Sequence, residues 1–427
     1  MSGSIADTLF AGPFGAQLSP SLGGLLASED VGWWTRLWFR TKASTFAGET
    51  DLIYNFIFWV SIVFFVALMW LMVYWGVKYR RKPGVPAPLS ASHNTPLEIV
   101  WTVIPTILLF VMFIWGFKGY MDKAVSPSDA EVIQVTAKKW NWTWEYKTGA
   151  KSRELDRISD MDVPVFALPL DRPVKFVMSS DDVIHSMFFP EFRAKRDVMP
   201  NRYTTMWVQP TGKPTHTIER YDGDKKLRLA PLDEAGNIIT DPAARVGKGY
   251  HLYCTEYCGD QHSQMLGRVA VLKEADYQAW LEYQGDTSGV PLIALGEQLY
   301  KLQGCATCHS VNGNKGTGPT WQGIWGQSHK STDGRTAAVD ENYIRESILV
   351  PAAFVVEGFA NQMPSYQGKL KDREIRALTT YIMSLNTDFK QKAQEASDAE
   401  LAVQQAGSAA APGTAPAPAP GPAPAPK

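Results

Sequence analysis

The sequence predicts a multidomain membrane protein with a hairpin of two transmembrane helices, a Greek-key β domain and a small all-α domain. Two long apolar segments indicate the hairpin. Short β-rich segments separated by Pro and Gly indicate the β domain, and helical segments after residue 290 indicate the last domain. A chain of 427 residues is long enough for roughly three domains. A formal net charge of −1 gives no reason to expect a nucleic-acid partner.

Two segments are apolar enough to be membrane spans. Asn55–Val77 contains no charged side chain, and Leu97–Phe117 contains only Glu98. At a rise of about 1.5 Å per residue, either segment can cross a hydrocarbon core of roughly 30 Å. A buried core helix of this length would show a polar stripe, which neither segment does. We therefore predict a transmembrane hairpin at 51–122, preceded by an N-terminal arm at 1–50.

The loop between the two spans indicates the orientation. Basic side chains cluster directly after the first span: Lys78, Arg80, Arg81 and Lys82. The positive-inside rule places residues 78–96 in the cytoplasm and both termini outside. We expect a bacterial cytoplasmic membrane protein whose large domains face the periplasm.

The β domain is predicted at 123–285, with an antiparallel arrangement of short strands. Predicted strands include Arg172–Met178, Arg202–Val208, His251–Tyr253 and Gly267–Leu272.

A loop of this domain carries metal-ligand chemistry. Cys254, Cys258, His262 and Met265 follow one another within a short stretch. Zinc sites are built mainly from Cys and His, whereas a thioether and thiolates together suit copper. His185, between two predicted strands, is the best candidate for a second imidazole ligand.

A second redox motif follows at Cys305-Ala306-Thr307-Cys308-His309, the C-x-x-C-H arrangement of covalent c-type haem attachment. His309 is the predicted proximal ligand, and Met363, before the last predicted helix, is the predicted distal ligand. Met383 lies within that helix and is predicted to be core.

The helices are expected at Leu292–Gln303, Asp340–Leu349 and Asp372–Leu385, within an all-α domain at 290–388. Residues 389–427 are predicted as a disordered Ala/Pro-rich tail, with Ala/Pro/Gly repeats in 405–427.

All four cysteines of the chain fall in these two pairs. Two local disulfides in an exported protein are the alternative interpretation. Disulfides would not account for His309 beside one pair or for His262 and Met265 after the other. Copper and haem on one chain indicate electron transfer.

With these motifs in place, residues 50–388 resemble subunit II of the haem–copper cytochrome c oxidases, in the version with a fused cytochrome c domain. The resemblance is carried by the two spans, Asp182-Val183-Ile184-His185-Ser186, the Cys254–Met265 loop and the Cys305–His309 motif. It implies a cupredoxin-like β domain and an all-α cytochrome c domain. Asn201 departs from the family, which has Gly in the corresponding Pro-Gly-Arg pattern, and the charged segment at 210–248 is longer than usual.

The resemblance also implies a binuclear copper centre, termed CuA. Cys254 and Cys258 would bridge the coppers, His185 and His262 would be terminal ligands, and Met265 and the Glu256 carbonyl would be weak ligands. The Glu256 side chain would reach a magnesium ion at the border with the catalytic subunit.

Two further positions match the family. Glu98 would stand at the start of a proton path into the catalytic subunit; the alternative is an interfacial charge. Trp140 would lie at the electron-input surface; without the resemblance it would be ordinary sheet core.

The resemblance predicts an electron-input subunit that passes electrons from its own haem to copper and on to catalytic subunit I, which reduces oxygen. Expected partners are subunit I, other oxidase subunits, the membrane and an upstream donor, either cytochrome c or a quinol:cytochrome c reductase complex. Two alternatives stay open. One is the equivalent subunit of a nitric oxide reductase, and the other is a membrane-tethered copper and haem carrier outside an oxidase.

Overall fold

A computed structural model describes residues 38–86, 92–158, 161–221 and 226–410, with side chains described to residue 404. Most of the predicted N-terminal arm and the last part of the predicted tail, residues 411–427, lie outside the described residues.

The two predicted spans are helices α1 (Ala47–Lys78) and α2 (Thr95–Ala124). Both are long and apolar enough to cross a membrane, judged by length and composition. Their apolar side chains point outward, as for Trp70, which is 63% exposed. Helix α1 begins within the predicted arm at 1–50, and α2 extends past the predicted hairpin end at 122.

The outer ends of both helices are fixed to the rest of the protein. The guanidinium of Arg193 donates a 2.7 Å hydrogen bond to the buried Asp51 carboxylate in α1. The Trp207 indole N–H donates to the Asp122 carbonyl at the end of α2 at 3.1 Å. These contacts explain why the helices extend beyond their apolar segments, since tertiary partners satisfy polar groups at the helix ends.

The β domain contains twelve strands and two helices among the described residues. In chain order they are β1 (Glu131–Lys138), β2 (Asn141–Glu145), β3 (Leu155–Ile158), β4 (Met161–Pro169), β5 (Val174–Ser180), β6 (His185–Phe189), β7 (Ala194–Val198), β8 (Thr204–Val208), β9 (His216–Tyr221), β10 (Lys226–Pro231), α3 (Pro242–Arg245), β11 (Tyr250–Cys254), β12 (Leu266–Leu272) and α4 (Glu274–Gly285).

Two sheets form the body of this domain, in strand orders β2-β1-β5-β8 and β3-β4-β12-β11-β6-β7. The alternating inward side chains of the two sheets form one core, in which Trp144 stacks on Phe166 with ring centroids 4.3 Å apart. The prediction of short strands is confirmed. The expected all-antiparallel pairing is wrong at two places, because β1 pairs with β5 and β4 with β12 in parallel.

Asn201, where the family pattern has Gly, has a φ of 59°. This left-handed conformation explains the usual glycine, and Asn tolerates it better than most residues. The long segment at 210–248 forms the β9–β10 hairpin and α3. It packs on its own domain, where the Thr217 hydroxyl donates a 2.6 Å hydrogen bond to Asp276 of α4.

The helical domain contains α5 (Leu292–Leu302), a short hairpin of β13 (Ser328–Lys330) and β14 (Thr336–Ala338), α6 (Glu341–Leu349), α7 (Asp372–Ser384) and α8 (Lys390–Ala410). The predicted helices over 292–303, 340–349 and 372–385 therefore form.

Helix α8 corrects the predicted disordered tail at 389–427. It packs on the domain through Ala393 and Ser397, both fully buried. Glu400 pairs with Arg376 at 3.1 Å. The segment before residue 405 is rich in Gln, Glu and Ala, which are good helix formers. The Pro-rich repeats begin only after it.

Candidate metal centre and haem pocket

Sheet pairing brings the candidate ligands from distant parts of the chain to one end of the β domain. His185 begins β6, and Cys254 ends the neighbouring antiparallel strand β11. The Thr255 N–H donates to the Ser186 carbonyl at 3.0 Å, which continues the pairing past the strand end. His185 and the Cys254–Met265 loop therefore meet, as predicted.

The donor atoms of this cluster lie close together. The Cys254 Sγ is 3.8 Å from both the Cys258 Sγ and the His185 Nδ1. The Cys258 Sγ is 3.4 Å from the His262 Nδ1. The two sulfur atoms are too far apart for a disulfide bond of about 2.05 Å, and both cysteines are free. The disulfide interpretation is therefore wrong for this pair.

Two weaker donors complete the cluster. The Met265 Sδ lies 3.9 Å from the Cys258 Sγ, and Met265 is fully buried. The Glu256 carbonyl oxygen lies 3.3 Å from the Cys254 Sγ, while the Glu256 side chain is exposed. Two thiols, two imidazoles, a thioether and a carbonyl are a donor set that fits copper better than zinc.

The two thiols differ in acidity. Burial raises the pKa of Cys254, but hydrogen bonds with His185 and with the backbone of Ser186 and Glu256 together outweigh burial and hold this pKa below the usual value. Burial and the neighbouring Cys254 charge raise the pKa of Cys258 to about 12. Two adjacent thiolates repel each other unless a cation lies between them. The cluster therefore favours a bound metal cation over two free thiolates.

Asp182 holds His185 in place, and sequence reasoning assigned it no role. Its carboxylate accepts a 2.8 Å hydrogen bond from the His185 Nε2, so that Nδ1 faces the sulfur atoms. The Lys139 and Val183 N–H groups, each at 2.7 Å, fix the same carboxylate. A carboxylate behind a ligating histidine is common in metal sites. The signal available in the sequence was an acidic residue three positions before a candidate ligand.

Trp140 lies directly beside the cluster. Its indole N–H donates a 3.2 Å hydrogen bond to the Cys258 carbonyl, and its side chain is half-buried. The next residue, Gly259, has a φ of 119°, and a Cβ there would lie 3.0 Å from the indole ring. The ring therefore packs closely against the Cys254–Met265 loop.

The C-x-x-C-H motif lies on one wall of a cavity in the helical domain. Cys305 and Cys308 are free and half-buried. The His309 Nδ1 donates to the Pro319 carbonyl at 2.7 Å, which leaves Nε2 for a metal. Burial lowers the pKa of His309 and favours the neutral, ligating form. A side chain at Gly318 would lie 2.6 Å from the imidazole, so the ring position requires glycine there.

The cavity fits a haem. It is lined by Cys305, Cys308, His309 and Met363, and by apolar side chains that include Trp321, Ile324, Ile344, Ile348, Phe354, Leu378 and Ile382. The structure therefore brings Met363 to the same cavity as His309. Met383 is buried outside the lining and is core, as predicted. Tyr343, His329 and Tyr366 also line the cavity, and no sequence pattern pointed to them.

Glu98 lies far from both sites in sequence, in the first turn of α2. Its carboxylate accepts a 3.0 Å hydrogen bond from the Asn94 N–H, and the Asn94 side chain accepts from the Leu97 N–H. This reciprocal arrangement caps the helix. A role in a proton path stays a prediction.

Comparisons with known protein families agree with this architecture. The transmembrane domain of cytochrome c oxidase subunit II matches residues 32–118, and its periplasmic domain matches residues 150–215. The cytochrome c family matches residues 293–386. The periplasmic-domain match includes His185 and ends at residue 215, within the long segment at 210–248.

Individual relatives carry the same name. Cytochrome c oxidase subunit 2 of Alkalihalophilus pseudofirmus is 28% identical over 76% of this chain and 83% of that protein. Alternative cytochrome c oxidase subunit 2 of Bradyrhizobium diazoefficiens is 26% identical over 59% of this chain and 86% of that protein.

A solved structure also matches part of this chain. It is the periplasmic domain of subunit II of cytochrome oxidase of Bradyrhizobium japonicum, with 18% identity, a TM-score of 0.28, and coverage of 38% of this chain and 96% of that chain. The chain therefore carries the transmembrane and periplasmic domains of cytochrome c oxidase subunit II, followed by a C-terminal cytochrome c domain.

Proposed function

We propose that the cluster at the end of the β domain is a binuclear CuA centre. Cys254 and Cys258 would hold both metals through their thiolates, His185 and His262 would each hold one through an imidazole, and Met265 and the Glu256 carbonyl would be weak ligands. The observation that supports this most directly is that donor atoms of the buried His185, Cys254 and Cys258 all lie within 4.8 Å of one another.

The second part of the proposal is a covalent c-type haem in the helical domain. Cys305 and Cys308 would hold the haem through thioether bonds, and His309 and Met363 would hold its iron. When bound, the haem and the copper pair supply reversible one-electron chemistry. Apolar side chains around the haem exclude water, and the Pro319 carbonyl fixes the His309 tautomer.

The arrangement makes this chain an electron-input subunit that does not reduce oxygen alone. The helical domain would pass electrons to the Cys254–Met265 loop, which would pass them to catalytic subunit I. Trp140, beside this loop, would lie at its input surface. The upstream donor is cytochrome c or a quinol:cytochrome c reductase complex. The basic loop after α1 supports a bacterial cytoplasmic membrane with both redox sites on the periplasmic side.

Two further assignments concern the contact with subunit I. The exposed Glu256 carboxylate is available for a magnesium ion, a hard cation that prefers oxygen ligands. Glu98, at the cytoplasmic end of α2, would admit protons to subunit I. A Glu98→Ala variant should slow oxygen reduction and leave the copper and haem spectra unchanged; unchanged turnover would limit Glu98 to capping the helix.

The proposal is tested on the complex purified from membranes with this chain in full length. Electron paramagnetic resonance should show one unpaired electron shared equally by both copper nuclei, and elemental analysis should show copper. After rapid photoreduction of the haem, haem oxidation and copper reduction should have the same rate, independent of protein concentration. A single isolated copper, zinc in its place, or copper reduction while this haem stays oxidised would contradict the proposal.

A further inference from the structure

The β domain and the helical domain meet at the two redox motifs. The Asn141 side-chain amide donates a 2.5 Å hydrogen bond to the Leu302 carbonyl at the end of α5. The Gln261 side-chain amide donates to the Thr307 carbonyl at 3.4 Å. Gln261 directly precedes the copper ligand candidate His262, and Thr307 lies between the two haem-attaching cysteines. The contact therefore joins the two cofactor-binding loops directly.

The backbone turn at Gly304 allows this close approach. Gly304 has a φ of +71°, and a Cβ there would lie 3.1 Å from the Asn141 Cβ. A side chain at Gly304 would therefore be strained by its positive φ and would crowd Asn141 at the domain contact. Ion pairs at the edge of the contact support it: Lys301 with Asp162 at 3.1 Å, and Lys369 with Asp181.

At the centre of the contact, Lys138 extends from the end of β1 into the helical domain. It is only 4% exposed. Its ammonium group donates a 2.9 Å hydrogen bond to the Tyr366 hydroxyl and lies 4.0 Å from the centroid of the Tyr366 ring. The Tyr366 hydroxyl donates in turn to the Gln303 carbonyl at 2.9 Å. A buried ammonium bound to a phenol costs desolvation energy, since the phenol carries no neutralising charge.

The charge of Lys138 lies beside the haem attachment point. Tyr366 and Cys305 both line the haem cavity, so the Lys138 ammonium, which hydrogen-bonds with the Tyr366 hydroxyl at 2.9 Å, lies at the edge of that cavity. Burial lowers the pKa of Lys138 to about 8, so the side chain is mainly charged at neutral pH. A positive charge near a redox centre stabilises the form with one more electron, and in a buried site the interaction is poorly screened.

We propose that Lys138 is a positioning residue for electron transfer between the domains: through Tyr366 it holds the Cys305–His309 motif against the metal-binding loop, and its charge raises the haem reduction potential. This inference rests on the proposed function and adds a residue to it. The step that it serves moves one electron from the haem iron to the copper centre. No bond forms or breaks, and no proton transfer is required.

The test uses Lys138→Met in the complete complex, because Met keeps the apolar stem of Lys and removes its charge. The haem redox equilibrium should shift about tenfold toward the oxidised form, which is ~59 mV for a one-electron couple. The rate of haem-to-copper transfer after photoreduction should fall about tenfold. This rate scales with the fraction of molecules in which the Cys305–His309 motif is held against the metal-binding loop. Lys138→Arg should restore most of the potential.

Two further variants distinguish the effect of the Lys138 charge on the haem potential from the effect of the contact between the two domains on the transfer rate. Tyr366→Phe removes only the hydroxyl group, so transfer should slow while the haem potential stays near that of the unmodified protein. Lys195→Met is the matched control, because Lys195 is an exposed lysine of β7 whose ion pair is with Asp197 on the same strand. It should change neither quantity.

The outcomes distinguish this inference from the proposed function. If the unmodified complex relays electrons from haem to copper, and Lys138→Met keeps its transfer rate and haem potential, the role of Lys138 is wrong and the relay stands. A change in rate with an unchanged potential would also overturn the proposal as stated. If the unmodified complex does not relay electrons, the proposed function itself fails.

Discussion

The copper cluster and the haem pocket differ in what the folded chain provides for each cofactor. In the copper cluster, donor atoms from β6, β11 and the following loop lie 3.4 to 3.9 Å apart. In the haem pocket, one short motif supplies three attachment groups and the rest of the domain supplies an apolar cavity. A metal ion selects for donor type and distance, whereas a large cofactor needs volume and exclusion of water.

Because of this difference, the two sites should tolerate amino-acid substitutions differently. The copper cluster depends on residues far apart in sequence, so its geometry depends on strand pairing and on supports such as Asp182. The haem would be held covalently by residues close together in the chain, so loss of one axial ligand should alter its properties without releasing it.

The largest expected effect is loss of a bridging thiol. Cys258→Ser should abolish the mixed-valence copper signal completely, because a hydroxyl is a poor ligand for copper and cannot replace a bridging thiolate. Electron paramagnetic resonance of the purified complex measures this. Ser263→Ala, in the same loop and exposed, should leave the signal intact. A shared-electron signal in the Cys258→Ser variant would show that this residue does not bridge.

The second-largest effect is expected on copper affinity when Asp182 is replaced, because Asp182 orients His185 without binding the metal itself. Asp182→Asn should lower copper affinity by about 10- to 100-fold, the usual effect of losing such a support. Asp181→Asn is the matched control, since that neighbouring carboxylate pairs with Lys369 instead. Copper titration of the metal-free, full-length protein in detergent measures both. Equal effects of the two substitutions would show that Asp182 has no special role at His185.

Copper binding should depend on pH through the thiols. Burial and the Cys254 charge raise the pKa of Cys258 to about 12, so its proton must leave when metal binds. Because metal binding releases the Cys258 proton, apparent copper affinity should fall about tenfold for each unit of pH below the pKa of about 12. Titrations at several pH values on the metal-free protein measure the slope. A pH-independent affinity would show that Cys258 binds metal without losing a proton.

The haem pocket is expected to respond more mildly. Met363→Leu should keep the haem attached but lower its reduction potential by at least ~59 mV, since Met/His ligation raises the potential. Met383→Leu is the control, because Met383 is buried away from the cavity lining. Redox titration followed by absorbance measures both variants. If only Met383→Leu shifted the haem reduction potential, Met383 would be the distal ligand and Met363 would not.

The smallest expected effect is at the weak copper ligand. Met265→Leu should keep both coppers and shift their potential by less than ~59 mV, because a weak ligand tunes the centre without holding it. Met206→Leu, in β8 of the same core, should cause no shift. Loss of copper from the Met265→Leu variant would show that the thioether is a main ligand.

Local sequence determined much of this protein. Two apolar segments long enough to cross a bilayer, one without charge and one with only Glu98, predicted α1 and α2. Backbone groups within a membrane must bond inside their own helix. Cys305–His309 and Cys254–Met265 could be recognised because their chemical groups lie close together in the chain. The first helices of the helical domain were predictable for the same reason, since helical periodicity is a local property.

Only the tertiary structure decided which distant groups meet. The parallel pairing of β1 with β5 and of β4 with β12 depends on how the chain crosses between sheets. Asp182 behind His185, and Lys138 against Tyr366, are contacts between residues whose sequence spacing carries no periodic signal. Helix α8 was missed because its stability comes from packing on α7 through Glu400 and buried small residues. Such contacts form only after the core has brought their elements together, which is why the sequence alone does not show them.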